Sequence, residues 1–240
     1  MGKFREKSPL GFFFLWLWVY LLAQSGGGLL SRAIGVRYAG AVLLNVPLAV
    51  FLLAWVKRQG LGAYYGLCPV QVPKKELLWF LPLAVISTHN LWAGAALKLP
   101  LPETVFCVLT MACVGFLEEL LVRGFLFQGL KRQGVRTAVV LSTLAFGGAH
   151  SLNLGTQGAG ETVLQVAGAL CFGLMCAVLL LRSGSLRPCI LSHCTINALS
   201  VFTAAEPEQM VLISGGQIVL MLAYTGYLVC RRQSEPCHHI

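Results

Sequence analysis

The sequence predicts an all-α fold, a polytopic membrane bundle of about eight transmembrane helices, and three observations carry that expectation. Hydrophobic residues make up 57% of the 240 positions and charged residues 11%, with a mean hydropathy of +0.75, which is far too apolar for a water-soluble domain. The apolar residues gather in eight blocks bounded by charge, proline or glycine, several of them close to the roughly 20 residues a helix needs to cross a hydrocarbon core. Lysine and arginine collect in alternate connections between the blocks.

The blocks follow one another in order. Leu10 to Gln24 opens behind Lys3, Arg5 and Lys7, and Gly40 to Val56 stops at Lys57 and Arg58. Leu77 to Leu97 ends before Lys98 and is interrupted by Ser87, Thr88, His89 and Asn90, which most simply bond neighbouring helices. Leu101 to Leu130 runs from Pro100 to Lys131, and Val135 to Leu152 follows Gly134. Thr162 to Leu181 lies between Glu161 and Arg182, Leu186 to Thr203 begins beside Arg187, and Met210 to Cys230 is closed by Arg231 and Arg232. Open sheets are excluded, because lipid would leave their edge amides unpaired, and the runs do not alternate as barrel strands do. With no internal repeat or soluble segment, residues 1–240 read as a single integral-membrane domain whose motif-bearing core is 101–203.

The net charge of +9 raises nucleic acid as a partner, but the placement of the basic residues argues against it. If all eight blocks cross, one side of the membrane holds fourteen Lys and Arg residues and the other only Arg32, Arg37 and Lys98. Short cytoplasmic loops collect such residues, so a multi-pass protein with both termini cytoplasmic and an even number of crossings is expected. Glu103, Glu161, Glu206 and Glu208 fall on the opposite side. Reading the first block as a cleavable signal peptide, with Ala23-Gln24-Ser25 as its exit, would leave seven crossings and break this parity. The expected partner is the lipid bilayer, with no nucleic acid.

Of the nine cysteines, Cys107, Cys113, Cys171, Cys176, Cys189, Cys194 and Cys230 lie within apolar blocks, where they behave as small hydrophobes. No CxxC pair is present, so neither a redox motif nor a structural zinc site is expected, and no cofactor or metal is assigned. The tail Cys237-His238-His239-Ile240 lacks an aliphatic middle pair and is a poor prenylation signal.

Three polar constellations remain. In the fourth block, Glu119 and Arg123 are four apart and share a helix face at pairing distance. Glu118, about 100° around the helix, points elsewhere and has no partner within the block. Ionisable groups inside a membrane-length segment are costly unless partnered and mark functional sites, which makes Glu118 the candidate for proton exchange and Glu119 with Arg123 a clamp. The fifth block ends in Phe146-Gly147-Gly148-Ala149-His150, where the histidine offers an acid or base near neutral pH. The seventh carries His193 and Asn197 four apart, two hydrogen-bonding groups on one face, with helix-to-helix bonding as the alternative for both. From the expected cytoplasmic ends, Glu118 lies about 18 Å deep, His150 about 21 Å, and His193 and Asn197 about 10 and 16 Å, a compatible layer. A cysteine-protease pairing of Cys194 with His193 is disfavoured, since adjacent helical residues face different ways.

Taken in order, Glu118-Glu119 with Arg123, Phe146 with His150, and His193 with Asn197 resemble the EExxxR, FxxxH and HxxxN motifs of the CPBP family. This family comprises the CAAX prenyl proteases and bacteriocin-processing enzymes and is also called Abi. The resemblance covers Glu118 to Asn197, about a third of the chain. It implies an intramembrane glutamic endopeptidase with an eight-helix core, acting in a bacterial inner membrane on a membrane-associated protein or peptide substrate. By analogy, Glu118 and His150 would activate a water, His193 and Asn197 would stabilise the oxyanion, and Glu119, Arg123 and Phe146 would shape the site. The chemistry is sound on its own terms, because a carboxylate and an imidazole can share general-base work and aimed donors stabilise an oxyanion in a water-poor site. A zinc-dependent membrane protease using Glu118, His150 and His193 is the nearest alternative, although HExxH is absent. A non-enzymatic transporter or immunity protein is the alternative from another class.

Overall fold

The computed structural model describes residues 1–155 and 158–231, and for 74–76 the backbone alone; Arg232 and the Cys237-His238-His239-Ile240 tail lie outside the described residues. Among the described residues, ten α-helices run in the order α1 (Gly2–Lys7), α2 (Pro9–Ile34), α3 (Ala39–Arg58), α4 (Leu81–Ser87), α5 (Leu101–Glu119), α6 (Phe127–Lys131), α7 (Val135–Ala149), α8 (Ala159–Ser183), α9 (Arg187–Leu199) and α10 (Pro207–Cys230). No strand occurs among the described residues, where an isolated bridge joins Ala95 to Thr203. The fold is a helical membrane bundle.

Every expected block is helical, but their lengths differ. Among the described residues, six stretches are long and apolar enough to cross: Pro9–Ile34, Ala39–Arg58, Leu101–Lys131, Val135–Gly155, Ala159–Ser183 and Pro207–Cys230. The third block instead forms a 3-10 turn at Lys74–Phe80, the short α4 and a second 3-10 turn at His89–Leu91. The seventh is α9 followed by a 3-10 turn at Ser200–Phe202. The polar residues in these two blocks bond outward to neighbouring helices, which holds them as shorter inserts. Ser87 Oγ lies 2.7 Å from Ser192 Oγ, and Asn90 donates to the Ile196 carbonyl at 2.8 Å.

Helix α2, formed by the first block, runs ten residues beyond its expected end at Gln24, through three glycines. A side chain at Gly27 would sit 2.8 Å from the Ala41 Cα, so the glycine lets α2 and α3 touch backbone to backbone. Ser31 closes the contact by accepting from the Gly40 and Ala41 amides at 3.0 and 3.3 Å. Tertiary contact therefore outweighs the weak helix propensity of glycine, about 1 kcal/mol per residue.

The two ends of the bundle are tied differently. At one end Arg187 donates to the Leu67 carbonyl (3.1 Å), Arg182 to the Val229 carbonyl (2.6 Å), and Arg231 lies over the Trp79 ring. Beside them an aromatic cluster of Phe12, Trp55, Tyr65 and Phe125 packs with ring centroids 4.9 to 6.3 Å apart. At the other end the connection after α4 pairs with that before α10, Ala96 donating to the Phe202 carbonyl at 2.7 Å. Between the ends, α9 is held against α5, α4 and α8.

Candidate active site

The long span Leu101–Lys131 is not a uniform helix. Directly after Glu119 it widens into a π-helical stretch, Leu120–Leu126, before α6 resumes the α geometry. Such insertions occur mostly at functional sites, since a widened turn re-aims side chains. Arg123 lies within it and is wholly buried, as is Glu119. Arg123 Nη1 donates to Glu119 Oε1 at 3.0 Å.

The same carboxylate oxygen meets His193 Nδ1 at 3.1 Å. An ionised carboxylate only accepts, so Nδ1 carries its hydrogen and the ring is oriented with Nε2 on the far side. That nitrogen lies 3.6 Å from Glu118 Oε2. His193 is thus set between the two adjacent carboxylates, and its ring edges rest on Phe146 and Phe172 at 5.5 and 5.1 Å between centroids.

This depth of insertion depends on Gly115, one turn before the glutamates. A side chain there would meet the Cys194 nitrogen at 2.7 Å and the His193 carbonyl carbon at 2.9 Å. Backbone approach at Gly115 brings α9 close enough for His193 to reach α5. Cys194 is occupied in the same contact, donating to the Ala112 carbonyl at 3.0 Å.

Phe146 is the hub of the site. The Arg123 guanidinium lies 4.1 Å over its ring, a cation–π contact, and His150 packs edge-on at 5.1 Å. His150 Nδ1 is 2.9 Å from the Phe146 carbonyl, so it donates there and leaves Nε2 to accept a proton. Glu119 Oε2 and Arg123 Nε and Nη2 find no hydrogen-bond partner among the described residues, which makes the ring face the principal other neighbour of the guanidinium.

A cavity of about 820 Å³ opens beside these groups, lined by Phe146, His150, His193 and Asn197 together with His89 and Asn90. The last two also bond neighbouring elements, as expected of that polar interruption: His89 bonds Gln217 at 2.9 Å and Asn90 the Ile196 carbonyl. Glu118 stands next to the cavity through its contact with His193. Its side chain keeps 22% of its surface accessible, whereas Glu119 has none. The structure joins Glu118, Glu119, Arg123, Phe146 and His193 in one chain of contacts. His150 enters through Phe146, and Asn197 enters by sharing the cavity wall.

Tyr20 was missed in the sequence. From α2, nearly 100 residues away, its hydroxyl donates to Glu118 Oε1 at 2.6 Å. The only signal was a phenol set deep in an apolar block, and nothing local tied it to Glu118. Glu119, Cys176 and Cys189 bring three ligand atoms within 4.8 Å of one another, all buried. This trio suits a cation poorly, because the buried Arg123 guanidinium already neutralises the carboxylate and would repel one.

The family model for type II CAAX prenyl endopeptidases, Rce1-like, matches residues 100–199. This stretch holds α5 to α9 and every site residue named above except Tyr20, His89, Asn90 and Gln217. No curated protein and no solved structure matches the chain.

Proposed function

Residues 100–199 make the chain a member of the Rce1-like family of type II CAAX prenyl endopeptidases, CAAX-type proteases of the membrane, and from this we propose a glutamate mechanism for it. In this reading the chain cleaves peptide bonds in membrane-associated substrates with a water activated by Glu118 and His150. The observation that carries it is the setting of His193 between Glu118 and Glu119 in the wall of an 820 Å³ cavity that also presents His150 and Asn197.

The roles follow from the contacts. Glu119 is wholly buried and its Oε1 is engaged by both Arg123 and His193, so it serves to fix the imidazole. Glu118 is accessible and lies beside Nε2, and it is the carboxylate free to take a proton from water. In its imidazolium form His193 donates from both nitrogens, Nδ1 to Glu119 and Nε2 toward the cavity, where the Asn197 amide supplies a second donor. Each such donor aimed at a developing oxyanion contributes about 2.7–4 kcal/mol in a water-poor site. The proton accepted from water then passes to the departing amine, with His150 Nε2 as the second acid–base group.

In this reading residues 1–240 act as one integral-membrane domain of a bacterial inner membrane, with both termini on the cytoplasmic side as the loop charges favour. The test is cleavage of membrane-tethered peptides by purified wild-type protein beside Glu118→Gln. The isosteric amide keeps the Tyr20 contact in reach but removes the base, and a loss of about 10²–10⁴-fold is expected. Equal cleavage by both proteins removes Glu118 from the mechanism.

A further inference from the structure

We propose that His89 and Gln217 form a substrate-binding subsite in the cavity wall, which takes one peptide unit beside the scissile bond through paired hydrogen bonds to its N–H and C=O. The proposal rests on the reading of the cavity as the catalytic chamber, and it adds a binding pair that lies outside the family-matched residues 100–199.

His89 opens the 3-10 turn after α4, and Gln217 stands on α10. Both line the cavity, with 7% and 8% of their surface accessible. The insert that carries His89 is pinned to α9 on either side of it, Ser87 to Ser192 at 2.7 Å and Asn90 to the Ile196 carbonyl at 2.8 Å. The turn of α9 between those two anchor points carries His193, so His89 is held in register with the histidine that sits between the carboxylates. Gln217 completes the wall from α10, its amide nitrogen 2.9 Å from His89 Nδ1.

A bond that served only to join two helices would consume both groups. Here each keeps one polar atom in hand. His89 Nε2 and Gln217 Oε1 make no hydrogen bond among the described residues, and both retain accessible surface. Their characters are complementary. When the Gln217 amide donates to Nδ1, His89 Nε2 carries the ring hydrogen and donates toward the cavity, while Gln217 Oε1 accepts. When Nδ1 holds the hydrogen, donating to the Ile86 carbonyl at 3.2 Å and to the Gln217 oxygen, Nε2 accepts and the Gln217 amide group donates. Either arrangement offers one donor and one acceptor, which is what a peptide unit demands. A carboxylate needs donors alone and an acyl chain needs neither. A backbone amide that enters a membrane-embedded cavity loses water from both of its groups, and a wall that returns both partners binds it.

The test is a coupling between the protein and the substrate backbone. The membrane-tethered peptide cleaved by wild type is remade with single ester-for-amide replacements at the positions flanking the scissile bond, each of which removes an N–H donor and weakens the carbonyl acceptor without added bulk. One replacement should raise KM about tenfold in wild type with kcat held within about twofold. Gln217→Met removes both polar atoms and leaves His89 Nδ1 its Ile86 carbonyl. It should raise KM about tenfold for the parent peptide, and the same ester replacement should then cost nothing further. His89→Phe should reproduce this pattern, and it carries the test if Gln217→Met lowers the thermal midpoint in detergent. The absence of any sensitive amide in wild type, a penalty of equal size in wild type and variants, or a fall in kcat at unchanged KM overturns the proposal. Lost coupling with Glu118 dependence intact overturns the subsite alone, whereas equal cleavage of the parent peptide by wild type and Glu118→Gln overturns the catalytic reading.

Discussion

Adding one methyl group at Gly115 tests whether close helix approach creates the site. An alanine Cβ there would lie 2.7 Å from the Cys194 nitrogen and 2.9 Å from both the Cys194 Cα and the His193 carbonyl carbon. Backbone atoms cannot swing aside as a side chain can, so α9 must retreat by roughly 0.7 Å to restore ordinary contact. Applied to the site, that shift takes the His193–Glu119 distance from 3.1 Å to about 3.8 Å, beyond hydrogen-bonding range. A charge-assisted hydrogen bond of about 1.5–3 kcal/mol is lost, and overpacking adds about 1–3 kcal/mol. Alanine returns only about 1 kcal/mol through its better helix propensity. Gly115→Ala should therefore lower the thermal midpoint in detergent and reduce turnover by about 10- to 100-fold, in line with the cost of misplacing a catalytic group by about 1 Å. Gly28→Ala is the control, since a side chain there meets nothing within 4 Å. It should be neutral or slightly stabilising. Wild-type turnover and midpoint in Gly115→Ala would refute the argument that Gly115 sets the position of His193.

Other substitutions separate support from chemistry. Arg123→Ala should destabilise the fold by about 3–5 kcal/mol, because it strands the buried Glu119 carboxylate; thermal unfolding in detergent measures it, and a midpoint equal to wild type would contradict the burial of the pair. Tyr20→Phe removes the 2.6 Å hydrogen bond to Glu118 and leaves the packing intact, so turnover should fall about tenfold while the thermal midpoint changes little. His193→Ala should lower turnover more than substrate affinity, since the donor it removes acts mainly in the transition state; an unchanged kcat with a raised KM would exclude that role. Prolonged chelation should leave peptide cleavage unchanged, and loss of activity restored by zinc would replace the glutamate mechanism with a metal one.

The membrane class, the eight helical blocks and the three polar constellations were legible in the sequence, because each depends on local composition and on the short-range period of a helix. Hydrophobic length marks a span wherever it stands, and a spacing of four places two side chains on one face whatever surrounds the helix. Glu119 with Arg123 is of this kind, and the pair forms as the spacing predicts. Packing decided the rest. The short third and seventh blocks, the π-helical stretch after Glu119, the insertion of His193 between two carboxylates and the arrival of Tyr20 from α2 all require residues far apart in the chain to meet. Such meetings are governed by where small residues such as Gly27 and Gly115 let backbones touch, and a glycine in a sequence does not reveal which helix will lie against it. The sequence by itself therefore determined the solvent of each helix and the chemistry available, whereas the tertiary structure alone decided which groups stand within reach of one another.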